Sequence, residues 1–297
     1  MAPTQISTAM RVVILGASGQ IGARLYAHLK QKQPAWEITG TTRKPNQNNL
    51  LIFDPFSENW QKLGRADVLI NCIGIIEPTT QTSFHKIHVQ LTQLMLQNRI
   101  LLGSPRIIQF SALGAAATHA SAFLKTKGLA DQLLLEHPNT VILRPSIVCT
   151  PNTMLVRKLR ILLNISRFTF GFILLPKQIA ATKLQPVLVN DLLEIATTLI
   201  NSSLPENKII EVAGKEIYSL KSLLNLVPAV NVRTFPQKIF DAFSDVLPTL
   251  FPKLISKEQL LLLQFDNIGN VKQSEEILQR NMRSTRNFWI NELTKKE

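Results

Sequence analysis

A short apolar run, Arg11-Val12-Val13-Ile14-Leu15, stops at Gly16, and glycine then returns at every third position, Gly19 and Gly22. The β-branched run reads as a buried strand. Ile21, Leu25 and Leu29 follow at helical spacing, so a helix over Ile21 to Gln31 opens directly after the turn. Few conformations satisfy a strand, three glycines and a helix in so little chain. Gly16 permits a tight turn, Gly19 permits close approach of another group, and Gly22 lets the helix lie against the strand. The exposed amides of such a helix N-terminus, together with its dipole, favour a bound anion. The loop of Gly16, Ser18, Gly19, Gln20, Ile21 and Gly22 is therefore a candidate cradle for the pyrophosphate of a dinucleotide, and a purely structural turn is the competing reading.

The same alternation continues. Strands are expected at Glu37 to Thr42, Leu51 to Phe53, Asp67 to Ile73, Arg106 to Ser111 and Thr140 to Arg144, and helices at Phe84 to Leu102 and Ala122 to Glu136. Alternating strands and helices make a parallel sheet with right-handed crossovers. Beyond Pro145 prolines become frequent and the pattern loosens, with helices expected at Gln185 to Ile200 and Ser219 to Leu226 and a strand at Ile209 to Gly214. The expected fold is α/β: a Rossmann-type doubly wound parallel sheet over residues 11–150, and a smaller C-terminal α/β subdomain over 151–297 that partly returns to the main sheet.

With 297 residues, 45% of them hydrophobic, the chain can bury a full core. Cys72 and Cys149, the two cysteines, lie in apolar runs and read as buried free thiols in a reducing compartment. The opening residues Met1 to Met10 lack a basic n-region and an apolar core, and no apolar stretch reaches the roughly 18 residues that would span a bilayer. A cytoplasmic protein is expected, soluble or peripheral on the inner face of a membrane. No metal-ligand spacing is present. The net charge is +13, and no acidic residue occurs between Glu136 and Asp191, an interval holding Arg144, Arg157, Lys158, Arg160, Arg167, Lys177 and Lys183. Such a surface suits an anionic partner or simply general solvation. Nucleic acid is disfavoured, because the aromatics do not interleave with the cations and no nucleic-acid motif is present.

An acid usually ends the second strand where the ribose carries a free 2′-hydroxyl. Here Thr42, Arg43 and Lys44 stand instead. Arg43 suits a 2′-phosphate, which favours NADP(H) over NAD(H).

Taken together, Gly16 to Gly22, Asn71-Cys72-Ile73-Gly74, Ser111 to Ala115 and Leu143 to Val148 resemble the short-chain dehydrogenase/reductase superfamily in its extended and atypical branches. Gln185 to Asp191, Glu211 to Gly214 and Leu260 to Asn267 are similar to the atypical group that includes the NADPH-binding accessory subunit of respiratory complex I. The resemblance implies that Asp54 sits near the adenine, that Asn71, Cys72, Ile73 and Gly74 line the cofactor, that Ser111 holds the catalytic-serine position, and that Pro145 lies near the nicotinamide. It also implies a Tyr-x-x-x-Lys pair. Lys127 keeps the lysine position, where it would hold the nicotinamide ribose, but Phe123 stands at the tyrosine position. Phenylalanine has no proton to exchange with a carbonyl. Ser111 and His119 are the candidate substitute donors.

Three functions remain open at this level. The first is an NADP(H)-binding protein whose nucleotide is structural or regulatory, working near a membrane or with quinone-linked respiratory machinery. The second is an active reductase or epimerase-like enzyme with a non-tyrosine donor, and the third a nucleotide-sensing regulator of partner proteins. Met154 to Pro176, where cations alternate with leucine, isoleucine and phenylalanine, reads either as a lid over a substrate pocket or as a membrane-interface segment. A second apolar region, Ile239 to Leu263, would dock on a partner or membrane or cap the core.

Overall fold

Val12, Val13, Ile14 and Leu15 are all buried, as expected of a strand covered on both faces. In the computed structural model they lie inside a parallel sheet. The structure describes residues 9–45, 49–151, 153–201, 208–228, 230–243 and 256–295. About half of the second apolar region, including Leu247, Leu250, Phe251, Leu254 and Ile255, lies outside the described residues, as does most of the opening segment.

The strands are β1 (Arg11–Leu15), β2 (Glu37–Thr42), β3 (Leu51–Ile52), β4 (Val68–Asn71), β5 (Arg106–Phe110), β6 (Thr140–Pro145), β7 (Val148–Cys149), β8 (Phe172–Pro176), β9 (Lys183–Leu184), β10 (Val187–Leu188), β11 (Lys208–Val212), β12 (Tyr218–Ser219) and β13 (Asn231–Phe235). The helices are α1 (Gln20–Lys32), α2 (Leu91–Gln97), α3 (Ala122–Leu135), α4 (Met154–Ser166), α5 (Lys177–Ala181), α6 (Val189–Asn201), α7 (Leu220–Leu224), α8 (Gln237–Phe243), α9 (Lys257–Leu262), α10 (Lys272–Leu278) and α11 (Arg286–Thr294).

The main sheet has seven strands in the order β11-β6-β5-β4-β1-β2-β3, and every pairing from β3 to β6 is parallel. The order reverses between β1 and β4. In open parallel sheets the crevice at that reversal, beyond the carboxyl ends of the strands, is where ligands bind. The expected α/β class and doubly wound sheet are borne out.

Two compact units divide the chain. One comprises Met1–Ser111, Thr126–Leu143 and Ala196–Ile209, and the other Ala112–Lys125, Arg144–Ile195 and Ile210–Glu297. The core of the first joins Val13, Leu15, Leu69, Ile107 and Ile142 of the sheet to Leu91, Met95 and Leu134 of the helices, with Phe53 edge-on to Trp60 at 5.4 Å. In the second, Val156, Leu159 and Leu163 of α4 pack in one cluster with Ile173, Val232, Trp289 and Leu293. There Arg160 bonds Glu292 at 2.9 Å, and buried Asp191 accepts from Arg280 at 2.8 Å and Arg283 at 2.6 Å.

Two expected helices differ in extent. The segment expected over Phe84 to Leu102 begins as a π-helix, His85–Gln90, continues as α2 and stops at Asn98, whose side chain takes the Leu94 carbonyl. Gly103 and Ser104 then turn left-handed, with φ of 83° and 57°. The helix expected from Gln185 starts only at Val189. Pro186 disfavours helical geometry at the residue before it, and the Gln185 side chain is spent on the Gly214 carbonyl and the Gly269 amide.

Candidate dinucleotide site

The loop after β1 is held from below. Thr41 at the end of β2 accepts from the Gly16 amide through its hydroxyl at 3.2 Å and from the Ala17 amide through its carbonyl at 2.9 Å. The Gly19 amide closes the turn on the Gly16 carbonyl at 2.9 Å. Gly16 is left-handed, with φ of 77°, which favours glycine. A methyl group on Gly22 would stand 2.2 Å from the Gly16 carbonyl oxygen, so α1 can approach the turn only with glycine there. Gly19 differs: a methyl group there would meet only that oxygen, at 3.3 Å, with open space otherwise. Gly19 is also the N-cap of α1 and supplies no side-chain cap. Backbone donors behind an open face are what a pyrophosphate requires. The residues present fit a dinucleotide.

Beside the loop, β4 ends in Asn71, whose amide donates to Gln109 at 2.9 Å and whose side-chain oxygen accepts from the Ile73 amide at 3.0 Å. The Cys72 amide donates to Leu15 at 3.0 Å. The strand ends on both sides of the reversal are thereby tied together. Arg43 and Lys44 are exposed after β2, their turn fixed by the Lys44 amide on Thr42 at 3.1 Å. Asp54 caps its own turn by accepting from the Phe56 amide at 3.1 Å.

Lys127 is 4% exposed and donates to the Phe110 carbonyl at 2.8 Å. Its amine lies 3.3 Å from where a Gly74 methyl would be, which places it against the turn after β4. Burial lowers its pKa to about 8, against the attraction of Asp131 and the Cys72 thiol. Ser111 donates to buried Asp131 at 2.8 Å. Cys72 is half-buried rather than buried, and its thiol is pushed up to about 12 by desolvation, against the pull of the Lys127 ammonium. Cys149 is buried and free, as expected, and burial raises its thiol too.

Sequence reasoning missed three contributors. Buried His88, in the π-helix, meets the Thr126 hydroxyl at 2.9 Å. Desolvation first, and then the Lys127 charge, hold its pKa down to about 2, against a bond with the Ile75 backbone. π-Turns are enriched at functional sites, but no residue pattern announced this one. Asp131 was findable, standing one helical turn beyond Lys127. Gly40 was hidden because its closeness to Ala17 and Tyr26 is tertiary.

Phe123, His119 and Pro145 belong to the second unit. The Phe123 amide donates to Glu258 at 2.9 Å, and Ser121 donates its hydroxyl to the same oxygen. His119 accepts the Ser121 amide at 2.9 Å and packs edge-on to Phe265. Pro145 accepts from the Leu113 amide at 3.0 Å. Among the described residues no group of His, Cys, Asp or Glu could hold a metal, and no helix is long and apolar enough to cross a membrane.

The strand order and the glycine turn at its reversal define the class: this is a Rossmann-type α/β fold. No family model matches the chain. Over 244 residues it is 28% identical to NADH dehydrogenase [ubiquinone] 1 alpha subcomplex subunit 9, mitochondrial, of Arabidopsis thaliana, covering 76% of this chain and 59% of that protein. The chain thus spans less than two thirds of that relative. Among solved structures, UDP-glucuronic acid 4-epimerase from Bacillus cereus, in complex with UDP-glucuronic acid and NAD, aligns with a TM-score of 0.70 at 14% identity, over 96% of this chain and 98% of that one. RMD from Pseudomonas aeruginosa, complexed with NADPH, aligns with a TM-score of 0.64 at 14% identity, over 97% of each chain. The resemblance to a respiratory complex I accessory subunit is borne out in sequence, and the fold is shared with the Bacillus epimerase, which holds NAD, and with RMD, which holds NADPH.

Proposed function

We propose that this chain binds NADP(H) as a structural or regulatory nucleotide and performs none of the superfamily's usual tyrosine-dependent chemistry. The observation that carries this reading is the pairing of Phe123 with a retained, buried Lys127. The lysine that would hold a ribose is kept, while the hydroxyl that would exchange a proton is missing. Ser111 supports the same reading, because its hydroxyl is committed to Asp131.

In this assignment the amides of Ser18, Gln20 and Ile21 hold the pyrophosphate, with Gly16, Gly19 and Gly22 shaping the turn. Arg43 meets the 2′-phosphate, and Asp54 borders the adenine. Cys72, Ile73 and Gly74 line the nucleotide, Lys127 hydrogen-bonds the nicotinamide ribose, and Pro145 borders the nicotinamide. When bound, NADP(H) supplies a hydride or its acceptor. The chain's residues bind and orient it, and Phe123 removes the standard route for the matching proton. Likeness to the Arabidopsis subunit supports a respiratory or quinone-linked complex as partner, and the basic interval between Glu136 and Asp191 supports peripheral work at the inner face of a membrane.

An active reductase or epimerase-like enzyme is the second reading, favoured by the fold shared with the Bacillus epimerase. It needs Ser111 or His119 as donor.

Mass spectrometry of the nucleotide released from purified protein tests the first reading. NADP(H) is expected in near-stoichiometric amount, with no oxidation of NADPH by carbonyls or quinones. Protein free of any dinucleotide would sink the binding claim. Turnover that disappears in Lys127→Ala would establish the enzyme instead.

A further inference from the structure

Helix α4 buries Val156, Leu159, Leu163 and Ser166, and on the opposite side it exposes Arg157, Ile161 and Ile165 at helical spacing. The exposed side is thus basic at one end and apolar at the other. A single turn of 3₁₀ helix, Arg167–Thr169, follows, and then a reversal in which Phe170 and Gly171 are both left-handed, with φ of 52° and 84°. The reversal is firmly closed. The Gly171 amide donates to Ser166 at 2.8 Å, and Thr169 donates to the Ser166 carbonyl at 3.1 Å. At this fixed tip Phe168 is 88% exposed and Phe170 is 95% exposed. β8 continues the surface: Ile173 and Leu175 point into the core while Phe172 and Leu174 face out. On the parallel strand β13, exposed Arg233 pairs in register with Leu174.

We infer that this face, with Phe168 and Phe170 at its tip and Arg157, Arg167 and Arg233 along it, inserts into the interface of a bilayer carrying anionic lipid. Two observations select that occupant. Phe170 holds a backbone conformation unfavourable for an aromatic residue and gains no burial from it within its own unit, so its apolar area is available to another phase. Along the chain from α4 through β8 every charge is positive, since no acid occurs between Glu136 and Asp191. Protruding phenylalanines on a face that also presents arginines match a fluid interface, where rings enter the acyl boundary and guanidinium groups meet headgroup phosphates. An acidic protein partner would instead need a pocket shaped to receive the wedge.

The inference deepens the peripheral-membrane part of the proposed function and is independent of its nucleotide part. The test is co-sedimentation of the full chain with vesicles of phosphatidylcholine containing phosphatidylglycerol, and with vesicles of phosphatidylcholine alone. At low salt the wild type is expected to sediment with the mixed vesicles only, and to be released as salt rises. Phe168→Ser with Phe170→Ser is expected to weaken partitioning by roughly ten-fold or more, because each ring removes buried apolar area. Arg167→Glu with Arg233→Glu is expected to abolish the preference for phosphatidylglycerol. In Phe168→Trp, mixed vesicles should shift indole emission to the blue. Nucleotide content should stay at the wild-type level throughout, so failure of one reading is separable from failure of the other. Absence of binding to mixed vesicles at low salt would overturn the inference. So would undiminished binding by the double serine variant, which would mean adhesion by net charge alone.

Discussion

Gly19 and Gly22 stand three residues apart, yet a side chain would do different things at each. At Gly22 the added carbon would meet backbone at 2.2 Å, which cannot yield without moving the strand or the helix. Gly22→Ala should therefore destabilise the fold by about 1–3 kcal/mol or more, read as a lower denaturation midpoint. At Gly19, with φ of −78°, the backbone conformation is open to side chains, and the added carbon would press only on the Gly16 carbonyl oxygen, at 3.3 Å. Gly19→Val should keep a nearly wild-type midpoint and lose the bound nucleotide. If Gly19→Val retains nucleotide at the wild-type level, the loop is only a turn. His88 gives a second residue-scale prediction. Its folded pKa lies near 2 against 6.5 for the free side chain, so below about pH 6.5 the unfolded chain holds the extra proton. The stability this contributes is present above pH 6.5 and drains as pH falls, at about 1.4 kcal/mol per unit. Between pH 7 and pH 5, wild type should lose about 2 kcal/mol more than His88→Asn in urea titrations. Equal losses would show that another group titrates there.

Among the elements, α3 carries both the kept lysine and the lost tyrosine, and its start is over-determined. Ser121, wholly buried, caps the helix by accepting from the Leu124 amide at 3.2 Å, while its own hydroxyl goes to Glu258. Glu258 also takes the Phe123 amide, so a carboxylate sits at the helix N-terminus, where the dipole favours it. Glu258→Ala leaves a buried hydroxyl and an end-of-helix amide without that acceptor. Chemical denaturation should show a loss of about 1–2 kcal/mol. A loss well under half of that would mean water replaces the carboxylate at no cost. The helix itself was legible at Ala122 to Glu136 because its apolar spacing is regular. Its cap was not, because Glu258 is more than a hundred residues away in sequence.

For the molecule as a whole, a nucleotide that binds only the folded chain must raise its stability by mass action. NADPH at a hundred times its dissociation constant should add about 2.7 kcal/mol, seen as a higher melting temperature. NADH at the same concentration should add less, and Arg43→Glu should remove the difference. Equal shifts by the two nucleotides in wild type would remove the case for NADP(H). The division into units shows where prediction by local pattern ends. The first unit draws its sheet from consecutive strand–helix repeats, which periodicity reveals. The second assembles α4, β8, β13 and α11 around Trp289 and Leu293, a cluster drawn from segments more than a hundred residues apart. No local pattern announces such a cluster, because each segment is apolar on only part of its surface.

By itself the sequence determined the glycine turn after β1, the alternation that makes a parallel sheet, and the absence of a tyrosine hydroxyl at Phe123. All three are local properties, set by the side chains a stretch of chain possesses or lacks. Tertiary structure alone decided where the strand order reverses, and hence that the turn stands beside Asn71 to Gly74. It also decided that Lys127 is buried against Gly74 beside His88, that Ser111 spends its hydroxyl on Asp131, and that Phe168 and Phe170 face solvent rather than the core. Those outcomes depend on which surfaces meet across long sequence separations and how much water each group loses when they do. No spacing rule encodes either quantity.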